Sequence, residues 1–266
     1  MATYCAVDGL PEPDHGMHAK FWQMYFPGET NLLASVVVTA EDVAALVSIP
    51  REPAEKAKLS SMGYETLQEM FAERGHLSQI ALKRLNPDLA WPNPPVGSRV
   101  VIPDFDGTFP KAPQKGSDRG VPRSKRHLAS VLRVSIDRYE ITAFDKDGKL
   151  IALFPCSIAA DKAKLPPSGE LQVKSIVPNP NYTYTPDFTP RGRKVERHIF
   201  PPGPNNPVGV AWIGLTLPGY GIHGTPIPER IGRAESHGCF RLANWNAERL
   251  LKLCDVGVPI VVEFNE

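Results

Sequence analysis

One short stretch of this chain contains the residue types that acyl transfer requires. Cys239 supplies a thiol, His237 lies two residues before it, and His223 lies sixteen residues before it. A thiol attacks a carbonyl carbon as its thiolate, so a reactive cysteine needs a base or a cation nearby. Gly224 and Gly238 follow the two histidines, and a glycine lets backbone N–H groups approach a developing oxyanion. The spacing predicts a cysteine acyl-transfer site.

Two other interpretations of these residue types compete with catalysis. A free cysteine is most often a small buried hydrophobic residue, and this is our interpretation of Cys156, in an apolar strand, and Cys254, near a helix end. Cys239 differs, because a glycine precedes it and a helix start follows, and a helix N-terminus lowers a thiol pKa. A His/His/Cys zinc site is the second interpretation, but His-Gly-Cys is cramped for two ligands and no fourth ligand stands out. We therefore predict neither a metal nor a cofactor.

The same residues resemble the signature of the YkuD-type L,D-transpeptidases, in which a histidine lies upstream of Ser/Thr-His-Gly-Cys. The matching stretches are Ile222-His223-Gly224 and Ser236-His237-Gly238-Cys239-Phe240-Arg241. Two more segments resemble family segments in the same order, Pro167-Ser168-Gly169 and Pro202-Gly203-Pro204-Asn205-Asn206-Pro207-Val208-Gly209. The resemblance covers about half of the chain.

The resemblance implies a mechanism in which a peptidoglycan stem peptide is cut between its third and fourth residues. Cys239 is then the nucleophile and His223 the base, with the carbonyl of Gly224 orienting the imidazole. His237 and the N–H groups of Gly238 and Cys239 line the oxyanion region. D-Ala leaves, and an amine acceptor takes the acyl group from the thioester.

The resemblance also implies partners and leaves alternatives open. Peptidoglycan stem peptides and glycan strands are the expected partners, and carbapenem β-lactams the expected inhibitors. Ser236 and Arg241 are assigned to substrate binding, where Arg241 either pairs with a substrate carboxylate or forms a structural salt bridge. If water replaces the amine, the protein is an L,D-carboxypeptidase or another Cys/His murein peptidase. A non-catalytic wall-binding protein is the alternative from another class.

The N-terminal half is predicted to hold a small α+β module. Short helices are expected at 19–26 and at 40–48, the second begun by Thr39. Thr66, in a capping box with Glu69, and Ser78 are placed to begin two further helices, which Gly75 and Asn86 end. Together with a strand after Gly97, these helices resemble a LysM module, a family that binds N-acetylglucosamine-containing glycans. Its first strand is expected near 58–62. The predicted divisions are an N-terminal segment of unknown role (1–57), a LysM-like module (58–104), a linker (105–126) and a catalytic domain (127–266).

The C-terminal half is predicted to be mainly β. Leu132, Val134 and Ile136 alternate with polar residues, and further strands are expected around 139–144, 149–158, 171–177, 208–217 and 258–264. A hairpin turn from Asp145 to Gly148 is expected to join the first two of these. One helix is expected at 244–253, directly after the thiol. The family resemblance implies a β-sandwich or barrel with one or two helices. The long Pro- and Asn-rich segment 178–207 is interpreted as too polar for the core and as a candidate lid.

Composition excludes several classes of function. The 266 residues carry a formal net charge of +1, which gives no electrostatic reason to expect nucleic acid as a partner. No run of apolar residues is long enough for a membrane span. Residues 1–10 lack the basic start and apolar core of a signal peptide, so the predicted location, the periplasm or cell envelope, follows from the expected substrate alone.

Overall fold

The computed structural model describes residues 33–103, 128–167, 169–186, 196–236 and 238–264. The helix predicted for 19–26 and the linker predicted for 105–126 lie outside these ranges. The described residues form a small N-terminal unit, residues 33–103, and a larger β-rich unit that starts at residue 128, and each has its own hydrophobic core. A separate core is the basic requirement for a folding unit.

The N-terminal unit is a two-stranded sheet with helices between its strands. Its elements are β1 (Leu33–Val37), α1 (Ala40–Ala44), α2 (Pro53–Lys56), α3 (Leu67–Arg74), α4 (Gln79–Leu85) and β2 (Arg99–Pro103). The two strands pair antiparallel, with Ser35 opposite Val101. The prediction that the first strand of this unit lies near 58–62 is wrong, because the strand that pairs with β2 begins at Leu33. Residues of β1 alternate between exposed and half-buried positions, so no buried apolar face marks this strand in the sequence.

The helix boundaries of this unit follow local capping chemistry. The hydroxyl of Thr66 accepts a hydrogen bond from the N–H of Glu69 at 3.1 Å and begins α3. Ser78 begins α4 in the same way. The two helices end at Gly75 and Asn86. All four predicted boundaries are confirmed, because each depends only on residues within one helical turn.

Two local details differ from the prediction. The carboxylate of Glu69 accepts from the N–H of Glu65 at 2.9 Å, one residue before the donor that the predicted capping box uses. Thr39 begins α1 as predicted, with a complete capping box, but the helix ends at Ala44 instead of continuing to residue 48.

The β-rich unit is organised around one large mixed sheet. Its strands are β3 (Val131–Ser135), β4 (Glu140–Phe144), β5 (Leu150–Pro155), β6 (Ile158–Ala159), β7 (Gly169–Pro178), β8 (Tyr182–Tyr184), β9 (His198–Phe200), β10 (Ala211–Leu215), β11 (Gly221–His223), β12 (Ala234–Ser236), β13 (Phe240–Arg241) and β14 (Pro259–Glu263). Within the described residues, eight of these form a single sheet in the order β13-β11-β10-β7-β14-β3-β4-β5. The prediction of a mainly β domain is confirmed.

The sheet has one principal helix beside it. This helix, α5 (Asn244–Leu253), has the predicted bounds and contacts β7, β10 and β11. It directly follows β13 and buries Ala247 and Leu250 in the main core. Its start therefore lies next to the strands that carry the predicted site.

The N-terminal unit contacts the β-rich unit through α3 and the loop before it. The N–H of Met62 donates to the carbonyl of Pro202 at 2.8 Å, and the carbonyl of Met62 accepts from the N–H of Asn205 at 2.9 Å. The ring of His76 stacks on Trp245, the second residue of α5, with 5.3 Å between centroids. The contact therefore reaches both the loop before β10 and the start of α5.

The segment 178–207 is partly ordered into β-structure. Its described residues include β8 and β9, which pair as an antiparallel ribbon. Phe200 is 4% exposed and Asn206 is fully buried, so the prediction that the segment is too polar for the core is wrong at these positions. The amide of Asn206 donates to the carbonyls of Pro180 and Pro201, and these bonds allow a polar side chain to be buried.

Candidate active site

Three neighbouring strands of the main sheet position the predicted catalytic residues. His223 in β11 lies opposite Trp212 of the antiparallel strand β10 and opposite Arg241 of the parallel strand β13. Directly opposite residues of adjacent strands point to the same side of a sheet. Cys239 directly precedes β13, and its thiol hydrogen-bonds to the backbone of Gly221 in β11. The imidazole and the guanidinium are thus supplied by adjacent strands, and the thiol by the turn that leads into one of them.

The imidazole of His223 is buried in a defined tautomer. Its Nδ1 lies 2.6 Å from the carbonyl oxygen of Gly224, and because a carbonyl only accepts hydrogen bonds, Nδ1 carries the proton and Nε2 does not. Burial lowers the pKa of His223 to about 4, and the charge of Arg241 acts in the same direction, against the Gly224 hydrogen bond, which raises it. At neutral pH the ring is neutral and Nε2 can accept a proton.

The thiol of Cys239 is in its protonated form at neutral pH. Desolvation raises the pKa of Cys239, and this exceeds the opposing effects of the Gly221 backbone N–H and the charge of Arg241. The side chain is partly exposed, and its Sγ lies 3.6 Å from the carbonyl oxygen of Gly219. The resting pair is therefore a neutral thiol and a neutral imidazole, so the proton must leave sulfur as the thiol attacks.

The other two described cysteines are enclosed by the core. Cys156 is fully buried and Cys254 is 4% exposed, and both are free thiols. Desolvation raises the pKa of Cys254 to about 12 and raises that of Cys156 still more. Both positions match the interpretation of these residues as small buried hydrophobic side chains.

Ser236 holds the turn that presents the nucleophile. Its hydroxyl donates to the carbonyl of Cys239 at 2.6 Å and accepts from the N–H of Gly238 at 3.2 Å. Gly238 has a φ of 151°, a value that side chains rarely permit, so the turn requires glycine. His237 lies outside the described residues. The family resemblance assigns the Gly238 N–H to the oxyanion region, but in the structure this N–H donates to the Ser236 hydroxyl within the turn.

Arg241 lies at a small pocket next to the site. Its backbone forms two hydrogen bonds with Ser157, of 2.8 and 2.9 Å. Thr225, Ile227, Arg230 and Ile231 complete the pocket lining. The guanidinium charge lowers the pKa of both Cys239 and His223, so Arg241 acts on the chemical groups as well as lining the pocket. Binding of a substrate carboxylate by Arg241 stays a prediction.

Asn244 is a site residue that sequence reasoning missed beyond its place at a helix start. It is 1% exposed, and its Oδ1 accepts from the N–H of Val210 at 3.3 Å. A Cβ added at Gly224 or at Gly209 would overlap this oxygen. Asn244 therefore packs directly against the residue whose carbonyl orients His223. The sequence feature that could have indicated a role for Asn244 is its position five residues after Cys239.

A carboxylate from the N-terminal unit completes the surroundings of Asn244. Both oxygens of Glu73 accept from Asn244 Nδ2, at 3.2 and 3.0 Å. The hydroxyl of Tyr64 donates to the same carboxylate at 2.9 Å. Glu73 is only partly buried as a residue, but protein encloses its carboxyl group, and this desolvation raises its pKa to about 7. Nothing in the sequence marks Glu73, because its partner is 171 residues away.

His237, one of the three residues of the His/His/Cys zinc alternative, lies outside the described residues. Among those residues, no group of three or more His, Cys, Asp and Glu side chains could hold an ion.

The fold and the site together define a class of protein. A mainly β unit presents a cysteine at a tight glycine turn, beside a buried neutral histidine whose Nδ1 is bonded to a backbone carbonyl. These are the groups that thiol-based acyl transfer requires. The family described as YkuD, L,D-transpeptidase catalytic domain, matches residues 129–262, which is half of the chain. The chain belongs to this family.

Individual relatives are similar over parts of their length. YqjB of Bacillus subtilis (strain 168), named as an L,D-transpeptidase, is 32% identical over 112 residues, covering 40% of this chain and 57% of YqjB. A protein of Fuscovulum blasticum, named as an L,D-transpeptidase in the ATP synthase subunits region, is 34% identical over 110 residues, 41% of this chain and 57% of that protein. The chain thus spans somewhat over half the length of these curated relatives. An L,D-transpeptidase structure from Mycobacterium smegmatis aligns with 20% identity and a TM-score of 0.39, over 50% of this chain and 58% of that one.

Proposed function

We propose that this protein is a peptidoglycan L,D-transpeptidase that uses Cys239 as its nucleophile and His223 as its base. The observation that carries the proposal is the 2.6 Å contact between His223 Nδ1 and the Gly224 carbonyl. It leaves Nε2 unprotonated on strand β11, which pairs with the strand that Cys239 directly precedes. The backbone carbonyl takes the place that a carboxylate has in many catalytic triads.

Acylation begins with transfer of the thiol proton. Nε2 of His223 takes the proton from Cys239 Sγ as sulfur bonds to the carbonyl carbon of the third stem residue. The tetrahedral oxyanion then collapses, the C–N bond to D-Ala breaks, and the imidazolium of His223 returns the proton to the leaving amine. The products are a thioester on Cys239 and free D-Ala.

The second half reverses these roles. An acceptor amine attacks the thioester, and Nε2 of His223 removes its proton. The C–S bond breaks, and the proton passes to sulfur, which restores the thiol and releases the crosslinked peptide. Attack by water would instead release a tripeptide, the outcome expected of an L,D-carboxypeptidase.

The oxyanion is assigned to the turn at the nucleophile. Because the Gly238 N–H donates to Ser236, we assign the main oxyanion contact to the N–H of Cys239. Ser236 then supports this contact by holding the turn. His237 keeps its predicted place at the oxyanion as part of the proposal.

The experiment that tests this function is intact-mass spectrometry of the protein after incubation with a tetrapeptide-stem muropeptide, with and without an amine acceptor. A tripeptide thioester on Cys239 and a crosslinked product that needs the acceptor are expected. Tripeptide release that the acceptor leaves unchanged would indicate a carboxypeptidase. The absence of any adduct, with glycan binding intact in Cys239→Ala, would indicate a non-catalytic wall-binding protein.

The N-terminal unit is proposed to bind glycan strands of the same polymer. Support comes from its order of elements, in which antiparallel strands β1 and β2 enclose the helix pair α3 and α4, an arrangement similar to a LysM module. A glycan-binding unit would raise the local concentration of the enzyme on its substrate. The proposed location, the periplasm or cell envelope, follows from the same substrate.

Glycan binding is tested with the whole chain, because the two units share a contact at α3. The full-length Cys239→Ala protein should sediment with insoluble peptidoglycan, and soluble N-acetylglucosamine oligomers should reduce this sedimentation. Sedimentation that stem peptides reduce and the oligomers do not would assign binding to the catalytic unit and contradict the proposal.

A further inference from the structure

We propose that Glu73, in the N-terminal unit, is a positioning residue for His223 of the catalytic unit and acts through Asn244. The N-terminal unit would then be part of the catalytic apparatus in addition to any role in glycan binding. The inference rests on the proposed function only in taking His223 as the base.

The first link joins the two units. Asn244 Nδ2 donates to both oxygens of Glu73 and also to the carbonyl of Pro204, at 3.1 Å. Asn244 is 1% exposed, so water cannot easily replace these partners. Without Glu73, the buried amide would keep only the Pro204 carbonyl as an acceptor, and an unsatisfied buried donor is costly.

The second link joins Asn244 to the base. Oδ1 of Asn244 accepts from the N–H of Val210 and packs on Gly224 so closely that a Cβ there would overlap it. The Gly224 N–H donates to the carbonyl of Ala211 at 3.2 Å. The Gly224 carbonyl then holds Nδ1 of His223 at 2.6 Å. A shift of the Asn244 side chain would therefore move the peptide that sets the orientation of the imidazole.

The third observation concerns the position of Glu73 itself. Its carboxylate accepts from Tyr64 as well as from Asn244, which restricts its rotamer. Two other carboxylates, Glu69 and Glu248, act to raise its pKa. A carboxylate held among acidic neighbours needs specific donors to stay there, and Asn244 and Tyr64 are those donors.

The test compares four variants of the full-length protein. Glu73→Ala removes both acceptors, Glu73→Gln keeps the side-chain volume and one acceptor oxygen, and Tyr64→Phe removes one donor to the carboxylate. Glu69→Gln is the matched control, because Glu69 lies one turn earlier on α3 and hydrogen-bonds to Asn205 of the same contact rather than to Asn244. Loss of its charge lowers the pKa of Glu73 and so retains the carboxylate that Asn244 binds. Circular dichroism confirms that each variant is folded.

Two readouts report on positioning. The first is the downfield proton resonance of His223 Nδ1–H, assigned by its loss in His223→Ala. The second is the division of any rate loss between kcat and KM for acylation by a tetrapeptide-stem muropeptide. We expect Glu73→Ala to shift or broaden the resonance and to lower kcat by about 10- to 100-fold with little change in KM. Glu73→Gln should give a smaller loss, Tyr64→Phe the smallest, and Glu69→Gln none.

The relay through Asn244 predicts non-additivity. If Glu73 acts only through Asn244, the double variant Glu73→Ala/Asn244→Ala should be no slower than Asn244→Ala alone. Additive losses would overturn the relay. A wild-type resonance and kcat in both folded Glu73 variants, or equal losses in Glu69→Gln, would overturn the proposal. If the wild type itself turned over no muropeptide, the proposed function would fail, while the His223 resonance would still decide the role of Glu73.

Discussion

The indole of Trp212 stacks on the imidazole of His223 across the β10–β11 pair, with 5.6 Å between ring centroids and 21° between ring planes. One face of the base is thereby covered by an aromatic ring. This cover contributes to the desolvation that lowers the pKa of His223 to about 4, and it keeps the imidazole neutral over the whole physiological pH range.

Removing the indole should change the pH dependence of acylation. A base works in its unprotonated form, so the rate falls as pH drops through the pKa of His223. The wild type should keep its rate down to about pH 5, whereas Trp212→Ala, in which water reaches the ring, should lose rate nearer pH 6.5, the ordinary value for histidine. The measurement is kcat/KM for acyl-enzyme formation between pH 4 and 8. Trp212→Phe, which keeps an aromatic ring over the imidazole, is the control. If kcat/KM of the wild type already fell near pH 6.5, this account would be contradicted.

Carbapenems and alkylating reagents should modify Cys239 and no other described cysteine of the folded protein. Cys156 and Cys254 are buried thiols whose pKa values are strongly raised, so their thiolate fractions at neutral pH are negligible. Peptide mapping by mass spectrometry after a carbapenem or iodoacetamide should place the adduct on Cys239. Denatured protein should react with iodoacetamide at all four cysteines of the chain, Cys5 included.

The matched variants for this prediction are Cys239→Ser, Cys156→Ser and Cys254→Ser. Only the first should lose both the carbapenem adduct and the formation of crosslinks. Full activity of Cys239→Ser, or an adduct on Cys254 in folded protein, would refute the assignment of the nucleophile.

Neutralising Arg241 should make the nucleophile less reactive. Its charge lowers the pKa of both Cys239 and His223, so Arg241→Gln should raise both values. At a fixed neutral pH the alkylation of Cys239 should slow by up to about tenfold, which corresponds to one pKa unit. Arg241→Lys, which retains the charge, should react nearly as the wild type does.

The same variant separates two roles of Arg241. If the guanidinium also binds a substrate carboxylate, Arg241→Gln should raise KM for the muropeptide as well as slow alkylation. A raised KM with unchanged alkylation would leave substrate binding as its role and contradict the electrostatic effect.

A single methyl group at Gly224 should disable the base. The added Cβ would overlap Asn244 Oδ1, so the peptide bonded to His223 must move. We expect Gly224→Ala to lower kcat by about 100-fold, measured as acyl-enzyme formation. Gly257→Ala is the control, since its Cβ would contact nothing within 4 Å although its φ is 93°. It should cost stability in thermal unfolding and leave kcat intact. Equal kcat in the two variants would contradict the prediction.

Local chemistry explains which features the sequence predicted well. The ends of α3 and α4 at Gly75 and Asn86 depend on neighbouring residues within one helical turn. The bounds of α5 depend on a single amphipathic segment. The turn between β4 and β5 was predicted from Asp145 to Gly148, and it forms, with Asp145 Oδ1 accepting from two backbone N–H groups. Cys239 and His223 were candidates because the chemistry needs those side chains near glycine turns, and their catalytic roles stay predictions.

Only the tertiary structure could decide the pairings between distant segments. β1 pairs with β2 although more than sixty residues separate them, and its weak alternation of burial gave no signal in the sequence. The protonation states were equally hidden, because the neutral imidazole and the protonated thiol result from desolvation by surrounding strands.

The sequence by itself determined the chemical groups, the family resemblance and the local starts and stops of the elements. The tertiary structure decided which groups meet, as the contact of Glu73 with Asn244 shows across 171 residues. The physical reason is that capping and strand alternation act over a few residues, whereas burial and long-range hydrogen bonds exist only after distant segments have packed.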